Sequence, residues 1–532
     1  MIGTLGLART AAAAALAATI AGAAGPAMAQ DKVLRAVMHA DLRTIDPYWT
    51  TQTIVGIHGM LVYDTLFGFD DNLVPRPQMV DRTEISPDRK TYTFTLRDGL
   101  KFHDGSPVTT EDVAASLTRW GKRDTAGQQL FAVIDKLEIV DPKTFRFVLK
   151  QPYGLVLDTL GKTGTNVPVI MRKKEAETDP NAQITEVVGS GPFRFARDQW
   201  VPGSKAVYVK NKDYVPRAEP ASGIAGGKVV NVDRVELVWI ADPQTAMSAL
   251  VNGEIDFYEQ PSIDFIPILA RSRNVTLMKT GKIASHYGII RLNHLHPPFD
   301  NPKIRQAMYL LINQEDFMRS VIGNPEFYEI CPALITCGTP MANEGGRQWM
   351  KEYNPKKALQ LMREAGYKGE PITVLHATDH HTINPATQVL INAMREAGLT
   401  LDIQAMDWGS VVSRRAKREP PAQGGWSIFV TTASGPIAAN PTLHTWMGAS
   451  CAKGLFGWPC EPKVDELRGA WATAETDAER KRIARDAQTL SMENVTYLPW
   501  GQWTQPLAYR SDRVSGIIGV TGLPIFWNIA KK

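Results

Sequence analysis

YTFTLRDGLKFHDGSPVTTEDVAASLTRW, residues 92–120, decides the architecture. Its first part alternates. Tyr92, Phe94 and Leu96 fall on one face and Thr93, Thr95 and Arg97 on the other, the period of a half-buried strand. Asp98-Gly99 supplies turn residues, so YTFTLRDGLKF is expected to form a strand pair. Thr109 or Thr110 then caps a helix, EDVAASLTRWGK, with acids in the first turn, where the helix dipole favours them. Downstream, KLEIVDPKTFRFVLK (136–150) is two alternating runs joined at Asp141-Pro142, a hairpin. Strands and one capped helix within this span predict a small α+β unit.

Outside this unit the texture changes to helix followed by strand. Asp242-Pro243 is an N-cap with proline at the first helical position; the helix runs to Asn252-Gly253 and EIDFYEQ follows as a strand. Asn354-Pro355 opens a second such helix, stopped at Gly366 before the strand PITVLHAT. Asn384-Pro385 opens a third, ending at Gly398 before LTLDIQAM. This alternation is that of an α/β layer. MREAG recurs at 362–366 and 394–398, but two copies are two similar helix ends and not an array.

Composition bounds the function. The 532 residues carry 59 Lys+Arg against 55 Asp+Glu, a net charge of +4 that gives no basis for nucleic-acid binding. Residues 1–29 read as a secretory signal, with Arg9 as the only charge, an alanine-rich run from Thr10 to Ala24, Pro26, and the small-x-small pattern Ala27-Met28-Ala29. The run is shorter than the roughly 20 residues of a spanning helix. The mature chain is expected to start at Gln30, without a lipid anchor, and to reside in the periplasm. Export places the four cysteines in an oxidising setting. Two short loops, CPALITCGTP and CAKGLFGWPC, favour the disulfides Cys331–Cys337 and Cys451–Cys460, although four cysteines allow three pairings.

Several chemical motifs fail on spacing. Gly161-Lys162-Thr163 lacks the glycine five positions earlier that a phosphate loop needs; position 156 is Val. Gly189-Ser190-Gly191 is not a nucleophile elbow. His294-x-His296 and His376 with His380-His381 lack metalloprotease spacing, and His380-His381 is expected in a solvated loop. No catalytic residue, metal site or cofactor is assigned, and a secreted hydrolase would need a nucleophile–base pair or a metal.

Five stretches together resemble the family 5 extracytoplasmic solute-binding proteins of ABC importers, the group of oligopeptide-, dipeptide-, nickel- and glutathione-binding proteins. They are the opening segment 92–120, VVGSGPFRF (187–195), VDRVELVWIADPQTAMSALVNGEIDF (232–257), NPKIRQAMYLLINQEDFMRSVIG (301–323) and YNPKKALQLMREAGYKG (353–369). The resemblance implies an α/β, two-lobed periplasmic-binding-protein clamshell with an additional small α+β domain. Lobe one would comprise 30–67, 188–284 and 497–532, the extra domain 68–187, and lobe two 285–496. The chain would cross between lobes near Leu277–Leu292 and Tyr497–Trp503. It also implies a monomer that captures a peptide-like or other medium-sized organic solute and passes it to a membrane permease and its ATPase. A metal-chelate or haem carrier, or a sensor on the same fold, is the alternative.

Such a cleft needs aromatic walls and a few aimed polar groups. The candidates are Tyr48, Trp49 and Thr50 in lobe one; Trp408, Trp426, Thr431, Thr432, Ser434 and Trp446 in lobe two; and Trp500 and Trp503 at the second crossing. His444 is the histidine in the region where a nickel ligand would be sought. Peptide-binding members commonly place an Asp in the loop after the strand equivalent to WSIFV. Here that loop is TTASGPIAANPT, and no Asp or Glu occurs from Pro420 to Cys460. A buried ammonium without a carboxylate partner is costly. The expected solute therefore has a neutral or anionic buried end, met by hydroxyl donors.

Overall fold

The alternation at the head of the chain's signature segment is realised in strand Thr91–Leu96, in which Tyr92, Phe94 and Leu96 point inward. In this computed structural model, which describes residues 31–278, 285–474, 476–518 and 523–532, that strand does not pair across Asp98-Gly99. Gly99 does turn the chain at φ +80, but beyond it only Lys101 makes a bridge, to Pro107. The partners are Val80–Ile85 and Thr144–Leu149, and Ile134–Ile139 completes a four-stranded antiparallel sheet. Its inner face stacks Phe94 on Phe145 at 5.0 Å and sets Phe147 edge-on at 5.5 Å. The helix Thr110–Arg123 begins as expected. Thr109 caps it, with Asp112 accepting from the Thr109 backbone N–H and hydroxyl at 2.9 and 2.8 Å.

Two larger sheets centre the two lobes. The seven-stranded sheet runs in the order Phe193–Phe195, Lys205–Lys210, Arg234–Val238, Val33–Val37, Phe257–Tyr258, Leu507–Arg510, Val275–Met278. Val33–Val37 lies parallel to both its neighbours. The six-stranded sheet runs Tyr328–Glu329, Leu498–Trp503, His286–Leu292, Ile428–Ser434, Ile372–Ala377, Leu401–Met406. The chain passes from the first sheet to the second between Met278 and His286, and back at residues 504–506.

The proline-capped helices form where local chemistry demands them. Asp242 accepts from Thr245 N–H ahead of helix Pro243–Asn252, and Gly253 ends it in the left-handed region. Asn354 does the same for Pro355–Glu364. The third starts earlier than Asn384-Pro385 suggests, at Ile383, because the Asn384 side chain instead bonds His376 and Thr378. Both disulfides are formed, Cys331–Cys337 and Cys451–Cys460. The expected signal segment and its cleavage point after Ala29 lie outside the described residues. No helix among the described residues is long and apolar enough to cross a membrane.

Candidate functional site

The signature segment matters to the site through its last two residues. Arg119 makes a two-pronged pair with the buried Asp46 at 3.1 and 2.7 Å. The neighbouring indole of Trp120 donates to the Asn166 carbonyl at 2.7 Å. Asn166 in turn donates its amide to the carbonyls of Pro47, Tyr48 and Thr50. This network presents Thr50, Thr51 and Gln52 at the start of helix Thr53–Val62. Loop 162–165 lies alongside, pinned by the buried Lys162–Asp124 pair. Lys162 thus has an intramolecular carboxylate for a partner.

These elements meet the second lobe directly. Arg415 Nη2 donates to Thr51 Oγ1 at 3.0 Å, and Arg43 bonds Asp407 at 2.7 Å. A Cβ on Gly164 (φ +94) would fall 2.6 Å from Ile437 and 3.3 Å from Ser434 Oγ, so only glycine permits that close approach. Gln128 reaches across to the Lys453 carbonyl at 3.1 Å.

Arg415 is the unusual group at this junction. It is buried and bonds no carboxylate among the described residues. Its Nε has no partner among the described residues. Three rings surround the guanidinium, Phe456 at 4.8 Å and Trp408 and Phe429 at 5.4 Å each. Burial pushes its pKa down to about 9. Cation–π contact offsets only part of the cost of removing a guanidinium from water. Phe456 is held in place by its own loop: its carbonyl accepts from Arg291 Nε at 2.7 Å, and the Cys451–Cys460 bond closes the segment.

Toward the crossing strands the cleft changes character. Glu259, just past strand Phe257–Tyr258, accepts through one oxygen from the His39 backbone at 2.9 Å and from its ring at 2.7 Å. His39 holds the Glu259 carboxyl below its ordinary range against the opposing pull of burial. From the second lobe come His286, His380 and His381. Burial pushes His286 and His381 down to about 4. The His286 Nδ1, His381 Nε2 and Ser285 Oγ atoms are buried without partners among the described residues. A cavity of about 540 Å³ opens here between the lobes, past Ser262, Asp379, His380 and His381. At another edge a groove of about 480 Å³ is lined by Lys122, Arg123, Lys417, Arg418 and Lys453 against a single acid, Glu419.

The expected site residues divide. Trp408 stands between Arg415 and His380, 5.6 Å from the latter ring, and Ser434 faces Gly164 across the lobes. Thr50 is buried beside Thr51. Trp49 lies outside, in the basic groove, with its indole donating to the Asn181 carbonyl. Tyr48 is instead part of the lobe-one core, its hydroxyl bonded to the Val169 carbonyl. Trp426 donates to the Lys417 carbonyl and packs edge-on to Phe429. Trp500 donates to the Thr431 carbonyl and stacks on Trp503 at 4.9 Å. Both indoles are core members because their polar handles are satisfied inside the second lobe. Thr431 and Thr432 are strand residues opposite Ile289 and Gly288. Trp446 is buried with its Nε1 unpartnered, below Arg291. Trp503 stacks on His286 and lines a small pocket at the crossing. His444 is engaged by the Leu334 carbonyl and Tyr497 hydroxyl inside the second lobe. His380 and His381 are not in a solvated loop: the rings stack 5.3 Å apart at the lobe junction. Arg415, Thr51, Glu259 and His39 were not legible as site residues, since nothing local marks them.

A two-lobed α/β frame with a polar and aromatic cleft between the lobes defines a protein that closes on a small solute. The sequence matches the family described as "Bacterial extracellular solute-binding proteins, family 5 Middle" over residues 74–452, and the chain belongs to that family. It is 41% identical to the probable peptide ABC transporter periplasmic-binding protein y4tO of Sinorhizobium fredii, covering 95% of this chain and 94% of that one. It is 26% identical to the glutathione-binding protein GsiB of Salmonella paratyphi A over 90% of each. Among solved structures, the agropinic acid complex of AgaA from A. tumefaciens R10 superposes with TM-score 0.77 at 21% identity, covering 94% of this chain and 99% of that one. DppA from Helicobacter pylori with the peptide STSA gives 0.76 at 22%, covering 94% and 98%. The family is one of solute-binding transport proteins and not of enzymes.

Proposed function

We propose that this extracytoplasmic component of an ABC importer captures a carboxylate-bearing, peptide-like solute, with Arg415 as the anchor for the carboxylate. The observation that carries this is the buried, ring-walled guanidinium that lacks a carboxylate partner among the described residues while already touching Thr51 of the opposite lobe. A solute carboxylate there would accept from Nε and the guanidinium edge and from the Thr51 hydroxyl at once. A ligand shifts an open–closed equilibrium only by its differential affinity for the two states. An anion held from both lobes supplies that difference. The five-cation groove would also attract anionic solutes by long-range steering. Periplasmic residence, action as a monomer and delivery to a membrane permease complete the proposal; the peptide relative from Sinorhizobium fredii supports the peptide-like class.

The test is native mass spectrometry of the exported protein, followed by denaturation to release and identify any retained solute, for wild type and Arg415→Met. The expected result is a retained organic acid in wild type and none in the variant, with both proteins folded. A retained solute without an acidic group, or one held equally by Arg415→Met, refutes the assignment.

A further inference from the structure

The cleft has a second pole. Glu259 uses one oxygen for the two bonds from His39, and no hydrogen bond among the described residues engages the other. Around it stand His286 and His381, each with a buried ring nitrogen lacking a partner among the described residues. His39 and Glu259 come from lobe one, and His286, His380 and His381 from lobe two. The subsite is therefore assembled only when the lobes close. We infer that Glu259, flanked by His286 and His381, receives the ammonium group of the solute, at the end of the cleft opposite Arg415.

The chemistry of the donor set points that way. A carboxylate offers acceptors only, and a neutral imidazole can offer its unpartnered nitrogen as one more. Both imidazoles are kept neutral by burial, with pKa values of about 4. A site of acceptors around an ionised acid suits a cation with several N–H donors. It is not a metal shell: no three His, Cys, Asp or Glu side chains among the described residues are placed to hold a metal ion. Among the described residues, the titratable groups acting on it are His39, His286 and His381.

The poles are joined by a continuous wall. The His39 and His380 rings lie 6.1 Å apart, His380 and Trp408 5.6 Å, and Arg415 stands 5.4 Å from the Trp408 ring. Three such steps correspond to at most roughly five extended residues at about 3.5 Å each. The solute is accordingly a short zwitterion, with its amine at Glu259 and its acid at Arg415. This supplies from lobe one the carboxylate that the 420–460 stretch lacks.

The inference rests on the carboxylate role of Arg415, and the experiment separates the two. Libraries of random peptides of two to five residues, free, N-acetylated or C-amidated, are offered to the mature protein, and retained peptides are read by mass spectrometry. Free peptides should be retained over N-acetylated ones by about 10- to 100-fold, the weight of a charge-assisted hydrogen-bond set. Glu259→Gln should abolish that preference while Glu259→Asp restores part of it, both with wild-type melting behaviour. Equal retention of free and acetylated peptides overturns the ammonium subsite and leaves Arg415 standing. Equal retention of free and C-amidated peptides overturns Arg415 instead. Retention of no peptide from any library, or undiminished selectivity in folded Glu259→Gln, also overturns the inference. The wild-type comparison decides the matter even if the variants fail to fold.

Discussion

Acidification from pH 7.5 to 5.5 should destabilise this protein strongly, and the cause is its histidines. Seven of the imidazoles described are held below their ordinary pKa mainly by burial. They are His58 and His444 at about 3, His103, His286 and His381 at about 4, and His294 and His380, both held well below the ordinary imidazole range. A depressed imidazole stays neutral in the fold while the unfolded chain binds a proton near pH 6.5. Its stability contribution is therefore complete above that pH and lost as the pH falls toward 4. Between pH 6.5 and 5.5 each such group lowers the unfolding free energy by about 1 kcal/mol. The two wholly buried rings, His58 and His444, set a floor of about 2 kcal/mol, and all seven a ceiling of about 7. Depressed carboxyls such as Asp104, at about 2, titrate below this window, while Asp158 and Asp379, raised by burial, take up protons in the fold first and offset a part of the histidine effect. Calorimetric unfolding of solute-free protein across this range, in two buffers of different ionisation enthalpy, measures both the melting temperature and the proton uptake. At pH 5.5 unfolding should take up roughly six protons, and His444→Gln should remove one of them. A flat melting temperature with no proton uptake refutes the account.

Other outcomes follow from single contacts. A thiol assay on denatured, unreduced protein should find no reactive cysteine, and opening Cys451–Cys460 should weaken solute binding through Phe456 by about tenfold, whereas opening Cys331–Cys337 should not; equal effects would separate Phe456 from the site. Arg119→Met should cost about 3–5 kcal/mol in chemical denaturation, because it leaves the buried Asp46 without a countercharge, held only by the backbone N–H groups of Tyr48, Trp49 and Ile184; a loss below 1 kcal/mol would show that those three donors suffice. N-terminal sequencing of exported protein should begin at Gln30.

What could be read from sequence and what could not divides along the range of the interactions involved. The capped helices at Thr109, Asp242 and Asn354 were legible because each cap is satisfied within three residues by its own backbone. The strand face of Tyr92, Phe94 and Leu96 was legible because alternation alone sets it. Its pairing was not, since a turn signal at Asp98-Gly99 competes with partners reaching from Val80–Ile85 and Thr144–Leu149. The tryptophans are ambiguous in sequence for a related reason. An indole is equally suited to a core and to a cleft wall, and the carbonyls that settle Trp426 and Trp500 belong to Lys417 and Thr431.

The cleft presents the extreme case. Its two charged poles each sit beside a sequence neighbour of the same type or none. Arg415 follows Arg414, yet Arg414 bonds the carbonyls of Gly424 and Gly425 near the surface while Arg415 turns inward. Glu259 follows a strand only two residues long. The want of an acid between 420 and 460 was a correct observation about one loop, but a closing clamshell draws its ligand contacts from both lobes. The groups that complete a subsite therefore come from segments remote in the chain: Thr51 for Arg415, and His286 and His381 for Glu259. Any group that makes closure depend on the solute must have its complement in the other lobe, so inspecting a single loop can reveal at most half of the specificity. That separation in sequence is a consequence of the mechanism, because contacts confined to one lobe would bind a solute without driving the lobes together.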